Sequence, residues 1–121
     1  MIIFITIIIY IQTMNHDYAL YVLCDDNDLL KVKIDKTSKN ITALMKEFSL
    51  SKSYVLLKYW PGKEYYSIKT LVLNHQLLAA DRLKNEQTSR LTEWFTTSLK
   101  TIDFVVNEIV TEYKSNQLKN I

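Results

Sequence analysis

Residues 18–37 read YALYVLCDDNDLLKVKIDKT, and this stretch decides the fold. Residues 18–24 form a short apolar run of the β type. Asp25, Asp26, Asn27 and Asp28 follow as a cluster of turn formers. Residues 29–34, LLKVKI, then alternate apolar and basic side chains, with Leu30, Val32 and Ile34 on one face and Lys31 and Lys33 on the other. Alternation of period two predicts a half-buried strand, so the two runs and their turn predict a β-hairpin. The turn lacks the glycine and distal glutamate of a calcium-binding loop and reads as a plain turn.

Downstream, Thr37, Ser38 and Asn40 offer helix caps, and Ile41, Leu44, Met45 and Phe48 recur at helical spacing. A short amphipathic helix is predicted over residues 40–49. Residues 53–60, SYVLLKYW, predict a strand that stops at Pro61-Gly62. From 64 to 80 the apolar residues Tyr65, Ile68, Leu71, Val72 and Leu78, with His75, predict one helix. Residues 81–90 read as a polar loop, and 91–96 as a short strand or extended segment. Ser98 caps a last helix with a stripe of Leu99, Ile102, Val106, Ile109 and Tyr113. The predicted order is β-β-α-β-α-(β)-α: an α/β (α+β) domain with a small mixed sheet and helices packed on it.

The 121 residues and 14.3 kDa allow one domain. A single glycine and a single proline exclude collagen, a flexible linker array and a Gly-rich phosphate loop. Cys24 is the one cysteine, which excludes an internal disulfide and a multi-cysteine zinc site and fits a reducing, intracellular compartment. Cys24 itself has no activating partner in the sequence and reads as a small strand hydrophobe.

Residues 1–13, MIIFITIIIYIQT, are uncharged and rich in isoleucine. The run is too short to span a bilayer as a helix, which takes about 20 residues. It also lacks the basic start and small-residue cleavage site of a signal peptide. Three readings stay open: an over-long start with translation beginning at Met14, a hydrophobic anchor at residues 2–12, or an extra strand. The domain proper is expected over 14–114, with a frayed tail at 115–121.

The formal net charge of +2 hides an asymmetry. Residues 31–69 hold nine lysines against Asp35, Glu47 and Glu64, a formal +6. The rest of the chain holds six basic and ten acidic residues. Lys31, Lys33, Lys36, Lys39 and Lys46 are therefore the candidate nucleic-acid contacts, because ammonium groups in a row neutralise phosphates. Tyr54, Tyr59, Trp60, Tyr65 and Tyr66 are interleaved with the lysines and offer rings on which bases stack. The plainer reading is a solvated face in a protein encoded by AT-rich codons, which enrich Ile, Asn, Lys and Tyr together. His75 is a candidate general base, since imidazole titrates near neutrality; against this stands a structural histidine hydrogen-bonded to backbone.

Four short motifs fall in order along the chain: Ala19-Leu20-Tyr21, Lys33-Ile34-Asp35-Lys36-Thr37, Leu73-Asn74-His75 and Glu93-Trp94-Phe95 followed by Leu99. Together they resemble the GIY-YIG nuclease superfamily, in its viral and phage branch with a Lys-Ile-Gly-Lys-Thr second motif. The resemblance covers Tyr18 to about Val110. It implies that Tyr21, Lys33 and His75 stand at functional positions. The departures bear on activity. Ala19 and Asp35 replace motif glycines, Leu44 stands where the family's catalytic arginine is expected, and Leu71 where its metal-binding glutamate is expected. A metal-dependent phosphodiesterase needs a carboxylate to hold the ion and a cation to neutralise charge on the phosphate. Leucine does neither.

The resemblance therefore implies a degenerate, inactive domain of viral or phage type that binds nucleic acid or serves as an accessory module, with no cofactor. Two alternatives are carried forward. One is an active endonuclease using Mg²⁺ or Mn²⁺ with relocated residues, Tyr21, Lys33 and Glu64 as metal ligand. The other is a structural or host-interaction protein that does not bind nucleic acid. Under each reading the protein is expected inside the cell, in the host cytoplasm or nucleus if it is viral.

Overall fold

The computed structural model describes residues 18–51 and 54–119. The expectations for residues 1–13 and for a start at Met14 lie outside the described residues. Among the described residues there are five strands and five helices: β1 (Ala19–Asp25), β2 (Asp28–Thr37), α1 (Ile41–Ser51), β3 (Tyr54–Pro61), α2 (Lys63–Ser67), α3 (Lys69–Leu73), α4 (Gln76–Ala79), β4 (Arg82–Lys84), β5 (Leu91–Thr96) and α5 (Leu99–Lys119).

The predicted hairpin forms, with Tyr21 opposite Asp35 and Leu23 opposite Lys33. The sheet order is β3-β1-β2-β5-β4, and every ladder is antiparallel. β1 lies at the middle of the hairpin and β3, and its residues Ala19 to Cys24 are all buried. Alternation along a strand sends Leu20, Val22 and Cys24 to one face and Tyr21 and Leu23 to the other. The first face joins Val32, Ile34 and Phe95 and is covered by α2–α4 and α5 through Ile68, Val72, Leu78, Ile102, Val105 and Val106. The second face carries Tyr21 and Leu23 under Leu44 of α1, with Phe48, Leu56, Tyr59 and Trp94 around them. This is a three-layer arrangement, helix on sheet on helix. Lys31 and Lys33 thus lie on a face that is partly covered rather than open to water.

The caps expected from sequence are in place. Asn40 Oδ1 accepts from the N–H of Ala43 at 2.9 Å, and Ser98 Oγ from that of Thr101 at 3.2 Å. Each satisfies a first-turn donor that the helix cannot bond internally. α5 continues through Lys119 into the segment expected to fray. Gly62 has φ of 123°, and its N–H donates to Tyr18 O at 2.8 Å. A Cβ there would meet the Glu64 carboxylate at 3.0 Å, so the chain turns from β3 into α2 at a position only glycine suits.

Three expectations are corrected. The single helix over 64–80 is three short helices. Ile68 and Asn74 leave helical geometry with ψ of 4° and 7°, and His75 is extended. The breaks bury Ile68, Val72, Leu73 and Leu78 together and turn Leu71 outward, 55% exposed, which one continuous helix over that apolar set would not do. The loop over 81–90 contains β4, which forms a hairpin with β5. Three residues are too few to show a period, and long-range bonds hold them: the Arg82 guanidinium donates to Thr92 O at 2.7 Å, Leu73 O at 3.2 Å and Asn74 Oδ1 at 3.0 Å. Leu30 is 73% exposed, because the β2–β5 ladder covers only Lys31 to Lys33 and the hairpin tip projects past it.

Phe95 is fully buried where the strands meet α5. Phe95→Ala is expected to lower unfolding free energy by about 3–5 kcal/mol in denaturant titration. Leu30→Ala, at the exposed tip, is expected to change it by less than about 0.5 kcal/mol.

Candidate functional site

The second sheet face gathers most of the polar chemistry. Tyr21 on β1 and Asp35 on β2 are paired in register, and the Tyr21 hydroxyl faces Asp35 Oδ2 at 3.4 Å. Asp35 is the hub. Lys69 Nζ of α3 donates to its Oδ1 at 2.8 Å, the backbone N–H of Lys36 donates to the same oxygen at 2.8 Å, and Lys33 Nζ lies 3.5 Å from Oδ2. Lys69 also pairs with Glu93 of β5. It reaches both carboxylates at the place where β5 no longer pairs with β2.

The two charges at this hub stabilise one another. Burial pushes the Asp35 carboxyl up. The hydrogen bond from Lys69, that from the Lys36 N–H and the charges of Lys69 and Lys33 outweigh it and hold the group below its ordinary value. Burial pushes the Lys69 ammonium down, and the bonds and charges of Asp35 and Glu93 outweigh that and hold it above its ordinary value. Burial and then the Asp35 charge raise Tyr21 far above the usual phenol range, so it stays protonated. Tyr21 is therefore an O–H donor here, not a phenolate.

A cleft of about 220 Å³ opens beside this hub, lined by Tyr21, Leu23, Lys33, Asp35, Glu47, Phe48 and Tyr54. Tyr21, Phe48 and Tyr54 give it aromatic walls: Tyr21 and Phe48 lie 5.6 Å apart, and Tyr54 lies 5.9 Å from Trp94, which lines the next hollow, at a tilt of 41°. Lys31 Nζ sits over the Trp94 ring, 5.3 Å from its centroid. A second hollow of about 320 Å³ continues on the far side of Trp94, lined by Lys31, Leu83, Lys84, Glu86 and Thr92. At the opposite end of β2, Lys36 Nζ lies 4.5 Å from the centroid of Tyr66, which meets Tyr18 edge to face.

The candidate lysines divide accordingly. Lys31 and Lys36 lie over aromatic rings and have no carboxylate within ion-pair distance among the described residues. Lys33 is tied to Asp35, and Lys39 to Glu47. Lys46 is exposed on α1.

The structure does not bring His75 to Tyr21. Its Nδ1 accepts from the N–H of Leu77 at 3.1 Å and caps α4, and its Nε2 faces Glu108 of α5 at 3.8 Å. The imidazole borders a hollow of about 370 Å³ with Leu71, Ile109 and Tyr113, on the α5 side of the sheet. Glu64 pairs with Lys114 of α5 at 3.9 Å. Leu44 does stand over Tyr21 and Leu23, 2% exposed. Leu71 points to the α5 side, and the α3 residue that reaches the hairpin motifs is Lys69, two residues earlier.

A divalent ion does not fit these donors. Asp35 and Glu93 already share the Lys69 ammonium, and Glu47 is paired with Lys39. Among the described residues no three His, Cys, Asp or Glu side chains converge with metal-holding geometry.

Sequence reasoning missed Lys69 as part of the site, and missed the pairing of Tyr54 with Trp94. The Lys33-x-Asp35 spacing signals a same-face ion pair on a strand. Nothing in the sequence marks Lys69, because its placement depends on the helix break at Ile68.

Comparison of the chain with protein-family models, with curated proteins and with solved structures finds no match.

Lys69→Met is expected to cost about 1–3 kcal/mol at neutral pH by leaving Asp35 and Glu93 half-buried and short of a partner. The sign with pH follows from the two shifts. Asp35, held low, contributes stability that is present above about pH 4, the unfolded carboxylate value, and lost as pH falls through its folded value. Lys69, held high, contributes stability that is full below about pH 10.4 and lost as pH rises through its folded value. Urea titrations across pH are expected to show both losses in the native chain and weaker ones in Lys69→Met.

Proposed function

We propose that the chain is a GIY-YIG-like domain, of the viral and phage type, that binds nucleic acid without cleaving it. The single observation that carries the reading is the state of β2. Lys31 and Lys36 stand toward the two ends of one strand and on its opposite faces, each over an aromatic ring and neither paired with a carboxylate among the described residues, so β2 offers a cation to phosphates at either side. Ammonium groups so placed are available to phosphates, and the rings beside them to bases.

Two further facts support the family reading. The two strand motifs lie opposite each other, Tyr21 against Asp35 and Ala19 against Thr37. The α3 residue that meets them is Lys69, while Leu71, where the resemblance expects the metal-binding glutamate, turns to the α5 side. A leucine, Leu44, covers the same face. A domain with this cleft holds its own cation between Asp35 and Glu93.

The test is electrophoretic retention of labelled duplex and single-stranded DNA by the full chain, at low and moderate salt, with and without Mn²⁺. Retention without metal, falling steeply with salt, is expected, with the DNA intact on a denaturing gel. Lys31→Ala and Lys36→Ala are each expected to weaken retention and to reduce the slope of log affinity against log salt by about one. Metal-dependent cleavage would instead establish the nuclease alternative. No retention at low salt would favour a protein partner.

A further inference from the structure

We propose that the second sheet face binds single-stranded nucleic acid in preference to duplex, holding one unstacked base in the cleft at Tyr21, Phe48 and Tyr54 and stacking the next on Trp94. The inference rests on the nucleic-acid reading above and names the form of nucleic acid the site takes.

Shape is the first argument. The cleft is about 220 Å³ and walled by aromatic rings on two sides. Sites for whole drug-sized ligands begin at about 300 Å³, so this one suits a single planar ring system. A base inside a duplex cannot enter such a cleft without being unpaired and unstacked, which costs free energy that a single strand does not spend. Access is the second argument. Tyr54 is 40% exposed on the sheet edge, and Trp94 is partly buried between the cleft and the next hollow. Their rings are tilted rather than stacked, and Lys31 lies over Trp94, so a base reaches that ring by displacing one flexible lysine side chain.

Charge sets the path of the backbone. Lys31 lies over Trp94, Lys33 lines the cleft, and Lys84 lines the hollow beyond. Asp25, Asp26 and Asp28 occupy the hairpin tip at one end of this face. The tip lies beside Tyr54, which pairs in register with Asp25, and Glu86 stands next to Lys84, so the path open to phosphates runs across the sheet from Lys31 over β5 toward Lys84 and away from the tip. Asp35, Lys33 and Glu47 are already held in ion pairs, so the base is held by ring faces rather than by its edges, which suits sequence-tolerant stacking.

The test titrates the full chain into one labelled oligonucleotide as a single strand and as a duplex of the same sequence. The single strand is expected to bind about tenfold tighter or better, and Tyr54→Ala to remove about that factor from the single strand alone. Phe104→Ala, on the exposed side of α5, is expected to change neither. Should Tyr54→Ala fail to fold, Trp60→Phe leaves Trp94 as the single tryptophan. Its emission is then expected to be quenched by the single strand and not by the duplex. Equal affinity for the two forms, a silent Tyr54→Ala, or unquenched Trp94 in a bound complex would each overturn this inference and leave general nucleic-acid binding standing. No retention of either form at low salt would overturn both.

Discussion

β1 has no face left for water. Leu20, Val22 and Cys24 on one side and Tyr21 and Leu23 on the other are all buried, so both sides of the hairpin must be covered. A strand apolar on both faces forces a layer on each, and the chain supplies them unequally. α5 and the three short helices before it give one face a broad cover. α1 gives the other a narrow one, resting on Leu44 and Phe48. The narrow cover is why the second face keeps clefts, aromatic rings and charged groups, while the first is a closed core.

The polar hub grows from the same constraint. Asp35 lies opposite Tyr21 on the incompletely covered face, at a depth where a lone carboxylate is costly. Lys69 neutralises it and Glu93 together, tying α3, β2 and β5 at the place where the sheet's pairing ends. An ammonium held by two carboxylates neutralises them from within the chain. That makes the centre of the cleft internally satisfied. The groups left to meet a ligand are those around it: Lys31, Lys84, Tyr54 and Trp94.

Much of the fold was legible in the sequence, for stated physical reasons. The hairpin followed from period-two alternation, α1 and α5 from their caps and stripes, and the end of β3 from Pro61-Gly62. What escaped depended on distant partners. β4 is held by Arg82 reaching Thr92, Leu73 and Asn74, which no local window contains. The helix over 64–80 broke because burying Ile68, Leu73 and Leu78 together outweighed continuous hydrogen bonding. The charge count was correct and yet overstated the open basic surface, since Lys33, Lys39, Lys58 and Lys69 each found a carboxylate. Sequence order grouped His75 with Tyr21; the sheet separates them.

The most direct measurement is a backbone and indole chemical-shift map of the full chain titrated with a short single-stranded oligonucleotide at low salt. Shifts concentrated on β2, on β5 at Trp94 and on the start of β3 at Tyr54, with His75 and α5 unmoved, are what this account predicts. Shifts confined to the His75 hollow and α5, or spread evenly over every lysine of the surface, would contradict it.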